Sequence, residues 1–414
     1  MRKEFWAAYK CLDDIYRQGA FSAVKLNETI KDYGRSPLIA KIVYGVLDRD
    51  IELDYIIKQF ASSVKPAVMP ILKIGAYCIK YLSLPDHTVV NECVELVKSL
   101  GKEGVSGFVN AVLKNIAKGN VEYPTDELER ISVKNSFPLW ALKILFNDYG
   151  KEEAEKIASY YPTENCTHIR INTSAGNFLS LLQKHKITFK PSPLPDAVYV
   201  SGSLSKLNGA LFTAQSAASM LVCKAVGVEN GHKVLDVCAA PGGKSVYIAA
   251  LAENVEVVSC DIHPHRVELI KKYAARMGAK NVRAILNDAT VFNPEFENAF
   301  DRVLCDVPCS GFGVLSSKPD IKLFRKESDL TELATLQSKI LETSARYVKP
   351  GGSLIYSTCT VFKKENEGVI ENFANPDFVT ESTQQFLPHR DNLDGFFIAK
   401  LKRLSEQNVI NHRI

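Results

Sequence analysis

The chain has 414 residues, 46% of them hydrophobic and 24% charged, with a formal net charge of +4. That length predicts two or three domains, and the composition is that of a soluble globular protein. No apolar run reaches the roughly 18 residues of a membrane span, charge interrupts the N-terminal stretch too early for a secretion signal, and the 10 cysteines lack CxxC pairs or scaffold spacing, so they read as free thiols in a reducing cytoplasm. Residues 1–120 hold 17 Lys+Arg against 13 Asp+Glu, an excess that permits a nucleic-acid partner without requiring one.

In chain order, residues 1–120 read as helices alone. Phe5, Tyr9, Leu12 and Tyr16 recur at helical spacing, as do Val89, Cys93, Leu96, Val97 and Leu100. A further face runs through Phe108, Val112 and Ile116 and stops at Gly119-Asn120. Val121 to about Ser136, with Pro124, reads as a connection, and Leu139 to about Gly209 as helices followed by short strands in "HIRINT" and "DAVYVSG". Thereafter "KVLDVC", "VEVVSCDI", "VRAILND", "FDRVLCDVPCS" and "GSLIYSTCT" alternate with helical stretches such as "HRVELIKKYAARMG". This rhythm predicts a mostly parallel, doubly wound α/β sheet, with its ligand beyond the carboxyl ends of the strands. Asp236, Cys238, Asp261, Asp288, Asp306, Cys309 and Cys359 stand at those ends.

The turn "CAAPGGKS", Cys238 to Ser245, ends as a triphosphate-binding loop does. Such a loop needs a glycine five residues before Gly243, where Cys238 stands, and Pro241 removes an amide donor. The dinucleotide pattern fails too, because Gly242 and Gly243 are adjacent. What remains is strand, glycine turn and helix, then Asp261 to take ribose hydroxyls and Asp288 within reach of an adenine. A nucleoside cofactor without a pyrophosphate fits best, and S-adenosylmethionine is the candidate. Cys260 and Cys305 read as core residues. Cys309 and Cys359 lie in turns after Pro308 and Thr358, where a thiolate could add to a ring and later leave it. A zinc site from Cys238, Cys305, Cys309 and Cys359 lacks paired-ligand spacing, so no metal is expected.

"CAAPGGKS", "DVPCSG" and "STCT…EN" resemble the motifs of RNA cytosine-C5 methyltransferases, while "TVVNECVELVK" and "FVNAVLKNI" are similar to the RNA-binding factor NusB. "IRINT" looks like a motif of the small domain between the two. The resemblance implies a NusB-like all-α domain over 1–125, a small α+β linker domain over 126–210 and a Rossmann-like catalytic domain over 211–414. It implies a cytoplasmic enzyme acting on RNA, 16S ribosomal RNA in the bacterial members that carry such a helical domain; we expect a monomer. Cys359 would attack cytosine C6, Cys309 would assist elimination, and Asp306 would hold the base's N3 edge and touch the cofactor side. Cys238, Ala239, Ala240, Pro241, Gly242, Gly243 and Lys244, with Asp261 and Asp288, would hold S-adenosylmethionine. Three positions depart from the family and fall at expected RNA contacts: Ser316-Ser317-Lys318 is less basic, Leu323 replaces an aromatic, and Phe137 stands where histidine is common. Other readings are the same chemistry on tRNA or 23S RNA, a triphosphatase, and a non-catalytic RNA-binding factor.

Overall fold

The helical periodicity of the first third is realised as a bundle. The computed structural model describes residues 3–34, 36–119, 121–161 and 166–405. Phe5, Tyr9 and Leu12 line the buried face of helix Lys3–Gln18, and Val89, Cys93, Leu96 and Val97 that of helix Asp86–Ser99. Between them run helices Ser22–Tyr33, Pro37–Asp48, Asp50–Phe60 and Met69–Tyr81. Helix Ser106–Ala117 buries Val109, Val112, Leu113 and Ile116. Phe108 is 37% exposed, so the face is turned one residue from the expected one. Gly119 has a left-handed φ of +79°, as at a helix stop; its expected companion Asn120 lies outside the described residues. The segment expected as a mere connection contains helix Glu127–Lys134, whose start is capped by Asp126 accepting the Glu129 N–H at 2.9 Å.

The chain forms two compact units, Met1–Tyr160 with Val314–Glu327, and Tyr161–Gly313 with Ser328–Ile414. The segment expected as a middle domain over 126–210 is shared, its first three helices falling in the first unit and its strands, with helix Ala175–Lys184, in the second. The excursion Val314–Glu327 is a built part of the helical unit. Asp320 accepts both the N–H and the hydroxyl of Ser22. Lys322 Nζ donates to the Asp48 carbonyl at 2.6 Å and lies 3.1 Å from its carboxylate, and Leu323 packs on the helical core. Phe137 is 3% exposed, and Leu323 is partly buried against the helical core.

In the second unit, strands β1 (Thr167–Ile171), β2 (Thr188–Pro191), β3 (Ala197–Ser201) and β4 (Phe212–Ala214) form an antiparallel sheet in the order β2-β3-β1-β4. Helix Ala175–Lys184 covers it through Phe178 and Leu182. The five strands read from the sequence become β5 (Lys233–Asp236), β6 (Glu256–Asp261), β7 (Val282–Leu286), β8 (Phe300–Asp306) and β9 (Val348–Thr358). They are parallel, and β10 (Phe378–Phe386) and β11 (Phe396–Arg403) add an antiparallel edge, in the order β10-β11-β9-β8-β5-β6-β7. The chain starts at β5, runs outward through β6 and β7, then crosses back to β8. That reversal opens a crevice between β5 and β8, where ligands of such sheets bind. The register pairs Asp236 with Ser259, Asp261 with Leu286 and Asp306 with Ser357, so the polar strand ends share one edge.

Candidate active site

The glycine turn bridges β5 and helix Gly243–Ile248. Gly242 has φ +104°, and a Cβ there would lie 3.3 Å from the Cα of Ile270 on helix Pro264–Met277. Glycine is needed twice over, for the left-handed backbone and for the close approach. The Gly242 N–H closes the turn on the Ala239 carbonyl at 2.7 Å, and the Ala239 N–H is anchored on the Cys260 carbonyl of β6 at 2.8 Å. From below, Arg170 of the "IRINT" strand, 1% exposed, donates to the Gly243 carbonyl at 2.9 Å and stacks on Tyr247. The motif is thus a buttress of the turn. Its arginine was assigned no role from sequence, because a buried guanidinium among β-strand apolar residues gives no local signal.

Beyond β6 and β7 lies a cleft of about 480 Å³, lined by Ile262, Leu286, Asn287, Asp288, Val291 and Phe292 among others. Ile262, Leu286 and Val291 are more than half exposed, apolar walls that a flat heterocycle would cover. Asp261 is 6% exposed; one of its oxygens accepts the His263 N–H at 3.0 Å and the other lies 4.0 Å from Arg266. Asp288 lines the cleft, with one oxygen taken by the N–H and hydroxyl of Thr290 at 2.8 and 2.7 Å. The glycine turn, these two carboxylates and the apolar walls suit a nucleoside sulfonium.

Lys244, at the start of helix Gly243–Ile248, is engaged by a strand end. Its ammonium meets Asp306 at 2.6 Å, and the other Asp306 oxygen accepts from Ser357 at 2.8 Å. Burial pulls the Lys244 ammonium down, but the Asp306 carboxylate outweighs it and holds the lysine above its usual range, firmly charged. Asp236, 1% exposed, receives the Ser245 hydroxyl at 2.6 Å. Burial pushes its carboxyl up to about 7, the Ser245 bond opposing and the Asp306 charge adding to the rise.

The two turn cysteines come together. Cys309 Sγ and Cys359 Sγ are 3.2 Å apart, and the Cys359 N–H donates to Cys309 Sγ at 3.3 Å. Cys260 and Cys305 are fully buried in the core, as expected. The Cys309 turn is seated by the Gly313 N–H on the Cys359 carbonyl at 2.9 Å. A Cβ on Gly313 would lie 1.9 Å from the Gly395 carbonyl oxygen, so only glycine fits there. Cys309 is held well above the ordinary thiol range by the shared hydrogen with Cys359, then by burial and by the negative charges of Cys359 and Glu365. Cys359 lies instead within the field of the Lys244 ammonium. Among the described residues no cluster of three His, Cys, Asp or Glu is arranged for a metal, and no helix is long and apolar enough to cross a membrane.

A family model of the 16S rRNA methyltransferase RsmB/F matches residues 224–402, and one of the NusB family matches residues 7–118. Fold and site together define an S-adenosylmethionine-dependent methyltransferase preceded by a NusB-type helical domain. The sequence is 37% identical to the probable ribosomal RNA small subunit methyltransferase B of Bacillus subtilis, over 92% of this chain and 93% of that one. It is 30% identical to the protein of the same description from Synechocystis, over 96% and 98%. The crystal structure of PH0851 shares the fold over 97% of this chain and 99% of its own, with a TM-score of 0.82 at 23% identity. The chain belongs to the ribosomal RNA small subunit methyltransferase B family.

Proposed function

We propose that this enzyme methylates C5 of a cytosine in 16S ribosomal RNA through a transient bond between Cys359 and C6 of the base. The observation that carries the reading is the thiol pair, 3.2 Å apart at the ends of β8 and β9, beside the Lys244–Asp306 ion pair. The relatives' names supply the RNA, since they describe ribosomal RNA small subunit methyltransferases. The glycine turn, Asp261 and Asp288 would hold S-adenosylmethionine, which would supply an electrophilic methyl group.

Cytosine C5 is a poor nucleophile on its own. The Cys359 thiolate, favoured by the Lys244 ammonium, adds to C6, and the ring electrons move to make C5 enamine-like. C5 would then take the methyl group of the sulfonium, whose S–CH3 bond breaks to leave a neutral thioether. Removal of the C5 proton, assisted by Cys309, returns its electron pair to the ring and expels the Cys359 thiolate. Asp306, fixed by Lys244 and Ser357, faces the same edge of the sheet and would hold the N3 edge of the base. The target must leave any stack to reach this pocket, and the helical unit would add affinity for the surrounding RNA. Bisulfite mapping of ribosomal and transfer RNA, with and without the protein, tests the reading. One protected 16S cytosine should disappear when the protein is absent; loss of protection in tRNA or 23S RNA alone would reassign the substrate.

A further inference from the structure

Glu365 is wholly buried and takes no part in the chemistry above, yet it is bonded to the Cys309 turn. One carboxylate oxygen accepts the Ser310 N–H at 2.8 Å and Gln337 Nε2 at 3.0 Å, and the other is bonded to the Ser310 hydroxyl. The same Gln337 Nε2 donates to the Pro308 carbonyl at 2.9 Å. The carboxylate therefore grips the residues on both sides of Cys309, one directly and one through Gln337. The Ser310 hydroxyl is also 2.7 Å from that of Thr360, the residue after Cys359. Tyr356 of β9 closes the ring, its hydroxyl on the Glu365 carbonyl at 2.6 Å.

We infer that Glu365 is the positioning residue of the cysteine pair, holding the Cys309 and Cys359 turns in one frame and placing a negative charge on the Cys309 side. The inference rests on the proposed roles of the two thiols and assigns a cause to their division. The titratable groups facing Cys309 are Cys359, Glu365 and Tyr356. The Glu365 carboxylate, with its hydrogen bonds to the Cys309 turn, works against a thiolate on Cys309, as a charge on Cys359 does. Lys244 works in favour of one on Cys359. The frame fixes the distance, and the two opposite charges fix which sulfur attacks and which waits.

The variants are Glu365→Ala, which removes frame and charge, and Glu365→Gln, whose amide oxygen keeps the Ser310 N–H and Gln337 bonds and whose NH2 can donate to a reversed Ser310 hydroxyl, without the charge. Glu365→Ala should turn over at least tenfold more slowly, with S-adenosylmethionine affinity within twofold of the parent. It should also accumulate a denaturation-resistant protein–RNA adduct, as Cys309→Ala does, because a misplaced Cys309 cannot assist elimination. Glu365→Gln should resolve that adduct. Its free protein should show the midpoint of Cys309 alkylation by iodoacetamide, followed peptide by peptide against pH, moved down by about one unit. If Glu365→Ala does not fold, Ser310→Ala breaks the same frame more gently and should show the adduct in smaller amount. An adduct in Cys309→Ala but none in the frame variants overturns this inference and leaves the proposed function standing. An adduct in neither overturns the proposed function, and the alkylation profile of Glu365→Gln still decides on Glu365. An unmoved midpoint there sinks the inference by itself.

Discussion

Two buried glutamates, one in each unit, show how surroundings decide what a carboxylate does. Glu52 in the helical unit is 3% exposed, with the Tyr81 and Tyr123 hydroxyls donating to it and the cations of Arg49 and Lys80 each 3.8 Å away. Glu365 is 0% exposed, and its hydrogen bonds come from neutral groups: Ser310, Gln337 and Thr360. The first charge is compensated and ties helices Asp50–Phe60 and Met69–Tyr81 together. The second is solvated by dipoles only, and burial raises its carboxyl pKa while its donors oppose the rise. Its field remains available to act on neighbouring thiols. A compensated buried charge serves the fold, whereas an uncompensated one costs stability and earns its place through chemistry.

The largest effect expected on the catalytic side is that of Cys359→Ala. Without the attacking sulfur, turnover should vanish and no RNA adduct should form, while Cys309→Ala should trap one only when cofactor and target RNA are both present. Trapping by Cys359→Ala instead would reverse the assigned roles. On the structural side, Glu52→Ala should destabilise the helical unit by about 2–4 kcal/mol, because two tyrosine hydroxyls and two cations lose their acceptor. Glu365→Gln should change stability by no more than about 1 kcal/mol, since no cation loses a partner. Equal losses in chemical denaturation would erase the distinction between the two sites.

Asp236 is an intermediate case, buried with one hydroxyl donor and both charges of the Lys244–Asp306 pair nearby. Its folded pKa of about 7 lies above the unfolded value of about 3.9. The folded state therefore binds the proton more tightly, and the stability it contributes is full below pH 4 and lost as pH rises through 7. Between pH 5 and 8 this amounts to roughly 2–3 kcal/mol. Asp236→Asn should remove that fall, so melting curves of parent and variant should diverge as pH rises; parallel curves would mean that Asp236 titrates normally. Smaller again is Asp261→Ala, which should weaken S-adenosylmethionine by about 1.5–3 kcal/mol, roughly ten- to a hundredfold, through loss of a charged acceptor for the ribose. Unchanged affinity in a folded variant would remove Asp261 from the cofactor site.

Sequence reading succeeded where a function is carried by contiguous residues. The five parallel strands were legible because buried β-strands are short Val/Ile/Leu runs, and the glycine turn because the left-handed Gly242 has few substitutes. The edge strands β10 and β11 were missed; β10 is largely exposed and polar, "FVTESTQQF", without an apolar run. Lys244 was read as part of the cofactor turn, and its partner Asp306 lies 62 residues away, a distance no local pattern bridges. Glu365 and Asn366 stood in plain view in "STCT…EN", yet their roles depend on Ser310 and Gln337 arriving from elsewhere in the chain. Helix Glu127–Lys134, in the segment that reads as a connection, is marked by its Asp126 cap.

The path of the chain through Val314–Glu327 bears on how the molecule is made. Ser22, Asp48 and the core around Leu323 are completed by residues synthesised after β8 and the Cys309 turn. At about 5–20 residues per second, the helical unit waits roughly ten to thirty seconds on the ribosome for its last piece. A fragment ending at residue 125 or 160 would keep that surface uncovered for good, with the Ser22 hydroxyl and Asp48 lacking the partners that Asp320 and Lys322 bring. The last packing layer of the helical unit is thus encoded inside the catalytic sequence.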